Sequence, residues 1–173
     1  MNIRKRRCTT SLPYLWDYPF TSGNNDRYSY ISNQYRYEDK LKDYSNDKII
    51  EIVKELGYSA KYRKKEKFFQ IIETIDGIKF YFHFSLEYGM VEVIIFWEYE
   101  NNKDLSGGGL LSVVCKLIEI AKNEEKEGYI KDACFRNYED LKNILREYFL
   151  IYEDLKTEVL KVDWNEEDMK DSE

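Results

Sequence analysis

Apolar residues at nearly every second position mark a β-hairpin near the middle of the chain. Two apolar-rich segments, Phe68–Ile75 and Ile78–Phe84, flank the dipeptide Asp76-Gly77. This dipeptide favours a two-residue type I′ turn, because Asp and especially Gly tolerate the positive φ that both central positions require. The predicted register pairs residues of one face across the two strands: Ile75 with Ile78, Glu73 with Phe80, Ile71 with Phe82, and Phe69 with Phe84.

The same alternation separates an apolar face from a mixed one, since neighbouring side chains of a strand point to opposite sides. A third strand, Met90–Tyr99, follows a short turn and continues both faces. We expect the apolar face, with Glu73 as its exception, to form the core. The mixed face, which we expect to be half exposed, collects Phe68, Gln70, Ile72, Thr74, Lys79, Tyr81, His83, Glu92, Ile94, Phe96 and Glu98.

Apolar residues at helical spacing lie on both sides of these strands. Asp47 is placed to cap a helix that ends before Gly57, a residue typical of helix C-termini. A second helical pattern covers residues 110–121. The longest one, Tyr138–Lys161, has one apolar and one charged face and predicts a long amphipathic helix.

Together these elements predict an α+β fold, in which an antiparallel meander of three to four strands packs on two or three helices and the last helix is long. Tyr129–Phe135 is the candidate fourth strand, and residues 101–109 are predicted to form a loop. We further predict an aromatic-rich N-terminal arm (1–45) that packs on the domain, a single α+β domain (46–162) and an acidic disordered tail (163–173).

Composition and charge indicate the cellular compartment and the class of binding partner to expect. Three cysteines without a CxxC pair indicate reduced thiols in the cytoplasm rather than a disulfide framework. The longest apolar run, Met90–Trp97, is too short for a membrane span, and no apolar region follows the basic N-terminus, so we expect neither a membrane protein nor a secretory signal. The net charge of −6 disfavours direct nucleic-acid binding and favours a basic partner.

Candidate catalytic groups are sparse in the sequence. The one histidine, His83, has no Ser or Cys nucleophile tied to it by a motif, so we interpret it as a partly exposed sheet residue. No His/Cys cluster has metal-ligand spacing, and neither a metal nor a cofactor is predicted. The Gly107–Gly109 segment before a helix could favour an anion, but the Lys and Ser/Thr of a P-loop are replaced by Leu110 and Leu111.

Surface aromatics are the remaining signal. Sixteen tyrosines and three tryptophans suit a protein interface, although a codon bias toward Tyr explains the excess equally well. We therefore predict a partner-binding site on the mixed face and the loop that follows it. Its candidate residues are Tyr81, His83, Glu92, Phe96, Glu98, Glu100 and Asp104.

The order of elements over residues 47–160 (helix, hairpin, third strand, helix, short strand, long helix) resembles that of bacterial immunity proteins from polymorphic or contact-dependent toxin systems. The resemblance implies a non-catalytic protein that binds a cognate toxin, often a nuclease with a basic active site, and blocks it. No functional residue is carried over. Two alternatives remain: a secretion chaperone or adaptor that uses the long helix, and a small enzyme that acts on a nucleotide or phosphate through Gly107–Gly109 and His83.

Overall fold

Helices and strands follow one another along the residues that the computed structural model describes, which are 22–103, 105–122 and 130–162. The helices are α1 (Ser22–Gln34), α2 (Asn46–Glu55), α3 (Leu111–Lys122) and α4 (Tyr138–Lys161). The strands are β1 (Lys61–Arg63), β2 (Phe68–Ile75), β3 (Ile78–Ser85), β4 (Met90–Tyr99), β5 (Ser106–Leu110) and β6 (Ala133–Cys134). None of the helices in these ranges has the length and hydrophobicity of a membrane span.

The strands form one antiparallel sheet in the order β1-β2-β3-β4-β5, and β6 pairs with the first two residues of β4. This arrangement confirms the predicted α+β fold, with its antiparallel meander and long C-terminal helix. The register of the β2–β3 hairpin is also as predicted. Asp76 and Gly77 have φ values of 51° and 76°, as a type I′ turn requires.

The inner face of the sheet packs against α4 and forms the core. Phe82 lies at its centre, with its ring centroid 4.8 Å from that of Phe149 and 5.4 Å from that of Tyr152. Burying one such side chain stabilises the fold by about 1.5–3 kcal/mol. All the apolar positions of α4 predicted from its spacing are buried, namely Leu141, Ile144, Leu145, Tyr148, Phe149, Tyr152, Leu155 and Val159.

Glu73, the polar exception on the inner face, is paired with a buried lysine. Lys156 of α4 is 5% exposed, and its Nζ lies 2.9 Å from a carboxylate oxygen of Glu73 and 2.7 Å from one of Glu153. The same ammonium group lies 4.7 Å from the ring centroid of Tyr152. The contact between Glu73 and Lys156 therefore leaves neither polar group without a partner beside the core.

Three local predictions differ from the structure. Ser45, not Asp47, caps α2, because its Oγ accepts a hydrogen bond from the backbone N–H of Lys48. The segment Ser106–Leu110 is a strand rather than part of a loop, since its glycines let the backbone lie close to β4. The fourth strand predicted from Tyr129 to Phe135 is limited to Ala133–Cys134 in the described range.

Part of the predicted N-terminal arm forms a core helix. Tyr28 and Ile31 of α1 are buried, and the ring of Tyr28 stacks on that of Tyr148 at a centroid distance of 5.4 Å. Residues 1–21 and 163–173 lie outside the described residues. The division into arm, domain and tail therefore stays a prediction.

Candidate recognition surface

The side chains that alternate with the core residues of β1 to β5 form a second surface, which we call the outer face. Its members are Lys61, Arg63, Phe68, Gln70, Ile72, Thr74, Lys79, Tyr81, His83, Ser85, Glu92, Ile94, Phe96, Glu98, Ser106, Gly108 and Leu110. Ile72 and Ile94 near its centre are 46% and 40% exposed. No helix of the described ranges therefore closes over the middle of the outer face.

Aromatic rings lie together at the centre of this face. Tyr81 of β3 stacks on Phe96 of β4, with the ring centroids 4.1 Å apart and the ring planes 3° from parallel. The ring of His83 lies 4.7 Å from that of Phe68 and 5.9 Å from those of Tyr81 and Phe96. Cross-strand aromatic pairs of this kind stabilise a sheet and hold their rings in fixed positions.

Tyr81 is also held by a carboxylate. Its hydroxyl donates a 2.6 Å hydrogen bond to Glu98 Oε1. Burial and this hydrogen bond raise the pKa of Tyr81 to about 12, so the phenol stays protonated at neutral pH. The ring and the carboxylate consequently form one rigid unit with an apolar and a charged end.

His83 accepts a hydrogen bond and is neutral at pH 7. The Oε1 atom of Gln70 accepts from Arg63 Nε at 2.8 Å, so the Gln70 amide nitrogen is the group that faces His83 Nε2 at 2.9 Å. An amide nitrogen only donates, and His83 Nε2 must therefore be the acceptor. Burial and then the charge of Arg63 lower the pKa of His83, in agreement with this tautomer.

The charged side chains of the outer face differ in sign from one strand to another. Lys61 and Arg63 of β1 lie at one edge of the sheet, whereas Glu92 and Glu98 lie on β4. The uncharged outer side chains of β2 separate Lys61 and Arg63 from β4, whereas Lys79 of β3 lies opposite Glu98 and pairs with Glu100. The face thus has a basic margin, an aromatic and aliphatic centre, and an acidic strand.

The structure places four of the predicted contact residues, Tyr81, His83, Phe96 and Glu98, in one connected group. Glu92 is farther along β4, opposite Ser85. Its pKa is raised by burial and by the nearby carboxylates of Asp132 and Glu87.

The two remaining predicted residues lie beyond β4. Glu100 follows this strand and pairs with Lys79, with Oε1 and Nζ 3.2 Å apart. Asp104 is outside the described residues.

Sequence reasoning missed both margins of the surface. Lys61 and Arg63 went unassigned because a three-residue strand is too short to show alternation. Ser106 and Leu110 were predicted to lie outside any strand because β5 consists mostly of glycine, which is rare in strands.

No cluster of three or more potential metal ligands occurs within residues 22–103, 105–122 and 130–162. In the same ranges, His83 contacts Gln70 and neighbouring aromatic rings. The exposed aliphatic and stacked aromatic side chains at the centre of the outer face form a surface that another molecule can contact. Comparison with family models, curated proteins and solved structures finds no match to this chain.

Proposed function

We propose that this protein is a non-catalytic binding module that neutralises a basic protein toxin by covering it with the outer face. The proposal rests mainly on the uncovered centre of that face. There, stacked aromatic rings and exposed aliphatic side chains adjoin an acidic strand. Such a protein acts by occupying a surface of its partner, so it needs complementarity rather than reactive groups.

The aromatic centre supports high affinity. Interface energy is concentrated in a few large, fixed side chains, and Tyr and Trp are the residue types most often found there. Tyr81 and Phe96 are already stacked in the free protein, so binding costs little of their side-chain entropy. Ile72 and Ile94 on either side offer apolar area that a partner would bury.

The acidic strand supports a basic partner. Glu98 and Glu92 present carboxylates on β4, whereas Glu100 beyond them is paired with Lys79. A partner with a cationic cleft is attracted to this side and repelled by the basic margin at β1, which sets its orientation. Nuclease active sites that hold nucleic acid carry the required charge.

The two alternatives receive less support from the geometry. A chaperone that dimerises through its long helix needs an apolar face of α4 to be free, but that face is buried against the sheet. An enzyme that holds a phosphate on a glycine loop needs a loop, whereas Ser106–Leu110 is paired with β4 as a strand.

The test is co-expression with the product of the adjacent gene, followed by affinity purification and a growth assay. We expect the two proteins to purify together and growth to be restored. Phe96→Ala and Glu98→Lys should each weaken binding by at least about tenfold. Leu150→Ala and Asp154→Lys on the exposed side of α4 are matched controls and should leave binding unchanged.

Failure to co-purify would count against the toxin hypothesis. Equal binding by Phe96→Ala, Glu98→Lys and the two controls would instead show that a partner is bound elsewhere on the molecule.

A further inference from the structure

The two edges of the sheet differ in a way that affects binding. An edge strand leaves backbone N–H and C=O groups without a neighbouring strand, and natural proteins protect such edges with charged side chains or with very short strands. β1 is protected in both ways, since it has three residues and two of them, Lys61 and Arg63, are basic. β5 has five residues, Ser106–Leu110, and none is charged.

The β4–β5 pairing shows which backbone groups of β5 point outward. The N–H of Tyr99 donates to the carbonyl of Leu105 at 3.0 Å, so these residues form a hydrogen-bonded pair. Such pairs alternate along an antiparallel ladder. Gly107 and Gly109 therefore direct their N–H and C=O groups toward β4, whereas Ser106 and Gly108 direct theirs toward the free edge.

The geometry of Gly108 leads independently to the same conclusion. Its φ is +122°, and a Cβ built there would lie 2.5 Å from the Cα of Phe96. In an antiparallel ladder, opposite Cα atoms lie closer together in a non-hydrogen-bonded pair than in a hydrogen-bonded pair. The close approach of a Gly108 Cβ to the Cα of Phe96 therefore indicates that Gly108 and Phe96 form a non-hydrogen-bonded pair. The N–H and C=O of Gly108 accordingly point away from β4, and within the described ranges no strand pairs with that side of β5.

We propose that an extended segment of the partner protein adds to the sheet as a further strand along β5. This inference rests on the proposed function, because it specifies how the same partner reaches the outer face. Backbone hydrogen bonds to Ser106 and Gly108 hold the added strand, and its alternate side chains lie over the outer face.

The neighbouring side chains specify the chemistry of the added strand. Gly108 has no side chain, so a residue opposite it reaches across to Phe96, its partner on β4. A residue opposite Ser106 reaches Glu98 in the same way, and one opposite Leu110 lies near Ile94. An antiparallel strand that fits this edge therefore has the order apolar-x-apolar-x-basic.

The probe is a synthetic peptide with blocked ends, Thr-Val-Thr-Val-Thr-Lys-Thr, added to the full-length ¹⁵N-labelled protein. We expect saturable changes in amide chemical shift that are largest at Ser106 and Gly108, together with slower hydrogen exchange of the Gly108 amide. Replacing the lysine of the peptide by glutamate should weaken binding on the order of tenfold, because it then faces Glu98.

Two pairs of variants separate strand addition from docking on the outer face alone. Ser106→Pro removes an outward N–H and should abolish peptide binding, whereas Ser106→Ala should preserve it. Ser106→Lys should also weaken binding by charge repulsion and needs no change of backbone. Its control, Thr157→Lys on the exposed side of α4, adds the same charge away from the sheet and should bind the peptide normally.

The inference is overturned if millimolar peptide produces no saturable shift at Gly108. It is also overturned if the shifts centre on Ile72 and Tyr81 while Gly108 does not move. Neither result changes the expected outcome of co-purification with the adjacent gene product. Strand addition can therefore be refuted without refuting toxin binding.

Discussion

The inner and outer faces of the sheet are built from the same strands but have different neighbours. On the inner face Phe80, Phe82 and Phe84 are 0%, 0% and 1% exposed. On the outer face Tyr81 lies in the same strand and Phe96 in the neighbouring strand β4, and both are only partly buried. The inner ring of Phe82 contacts Phe149 of helix α4, whereas the outer rings of Tyr81 and Phe96 contact each other.

This difference separates the side chains that stabilise the fold from those to which we assign the proposed recognition. An inner ring that is removed leaves a cavity between the sheet and α4, which the surrounding structure cannot fill. Removing an outer ring breaks one stacking contact, and water fills the space that the ring occupied. Residues of the outer face should therefore be replaceable at less cost to the fold than residues of the inner face.

The largest effect is expected at Phe82. Replacement by alanine should lower the free energy of unfolding by about 3–5 kcal/mol, since the ring contacts both Phe149 and Tyr152. Phe96→Ala is the matched variant on the outer face and should cost about 1 kcal/mol, the value of an aromatic pair. Urea unfolding followed by circular dichroism measures both. Similar losses would mean that the outer aromatic group is part of the core.

Gly108→Ala should follow, with a loss of about 3 kcal/mol. A Cβ at this position would lie 2.2 Å from the carbonyl oxygen of Ile95, and the φ of +122° is unfavourable for any L-residue with a side chain. At the neighbouring Gly109, the built Cβ has only an ordinary 3.8 Å contact with Val114, and Gly109→Ala should be nearly neutral. Equal unfolding midpoints for the two variants would contradict the close approach of β5 to β4.

Lys156→Met should cost about 2 kcal/mol, because it leaves Glu73 without its partner beside the core. The control is Lys161→Met on the same helix. Lys161 pairs with Glu158 three residues earlier, as Lys156 does with Glu153, but it is exposed and should contribute no more than about 0.5 kcal/mol. Equal losses in thermal unfolding would show that burial adds nothing to the Lys156 pair.

The parts of the fold that could be predicted are segments in which the hydrophobic pattern extends over many residues, and turns whose residues favour one turn type. The hairpin at Asp76-Gly77 fixed the register of two strands, and the apolar spacing of α4 gave its bounds as Tyr138–Lys161. Prediction failed in segments where the hydrophobic pattern was too short or absent. β1 has three residues, and the glycines of β5 carry no side chain that could alternate.

The candidate site was predicted only in part for the same reason. Alternation assigned Tyr81, Phe96 and Glu98 to one face, but sequence alone could not show that Tyr81 stacks on Phe96 and donates to Glu98. The partner of Lys156 was equally hidden, because its pair with Glu73 joins residues 83 positions apart. Contacts of this kind depend on how the helix crosses the sheet.

The smallest effect is expected at His83, whose protonation should weaken the outer face without unfolding the protein. The pKa of His83 in the folded state lies below its ordinary value of 6.5, so the unfolded chain binds a proton first as the pH falls. The contribution of neutral His83 to stability is therefore complete above pH 6.5 and decreases below it. His83→Gln keeps an acceptor for Gln70 but does not titrate. The stability of the wild type relative to this variant should decrease between pH 7.5 and 5.5 in urea unfolding, while other titrating groups cancel in the difference. A difference that increases toward acid pH would mean that the folded state favours the charged imidazolium, and that His83 donates to the outer face instead of accepting.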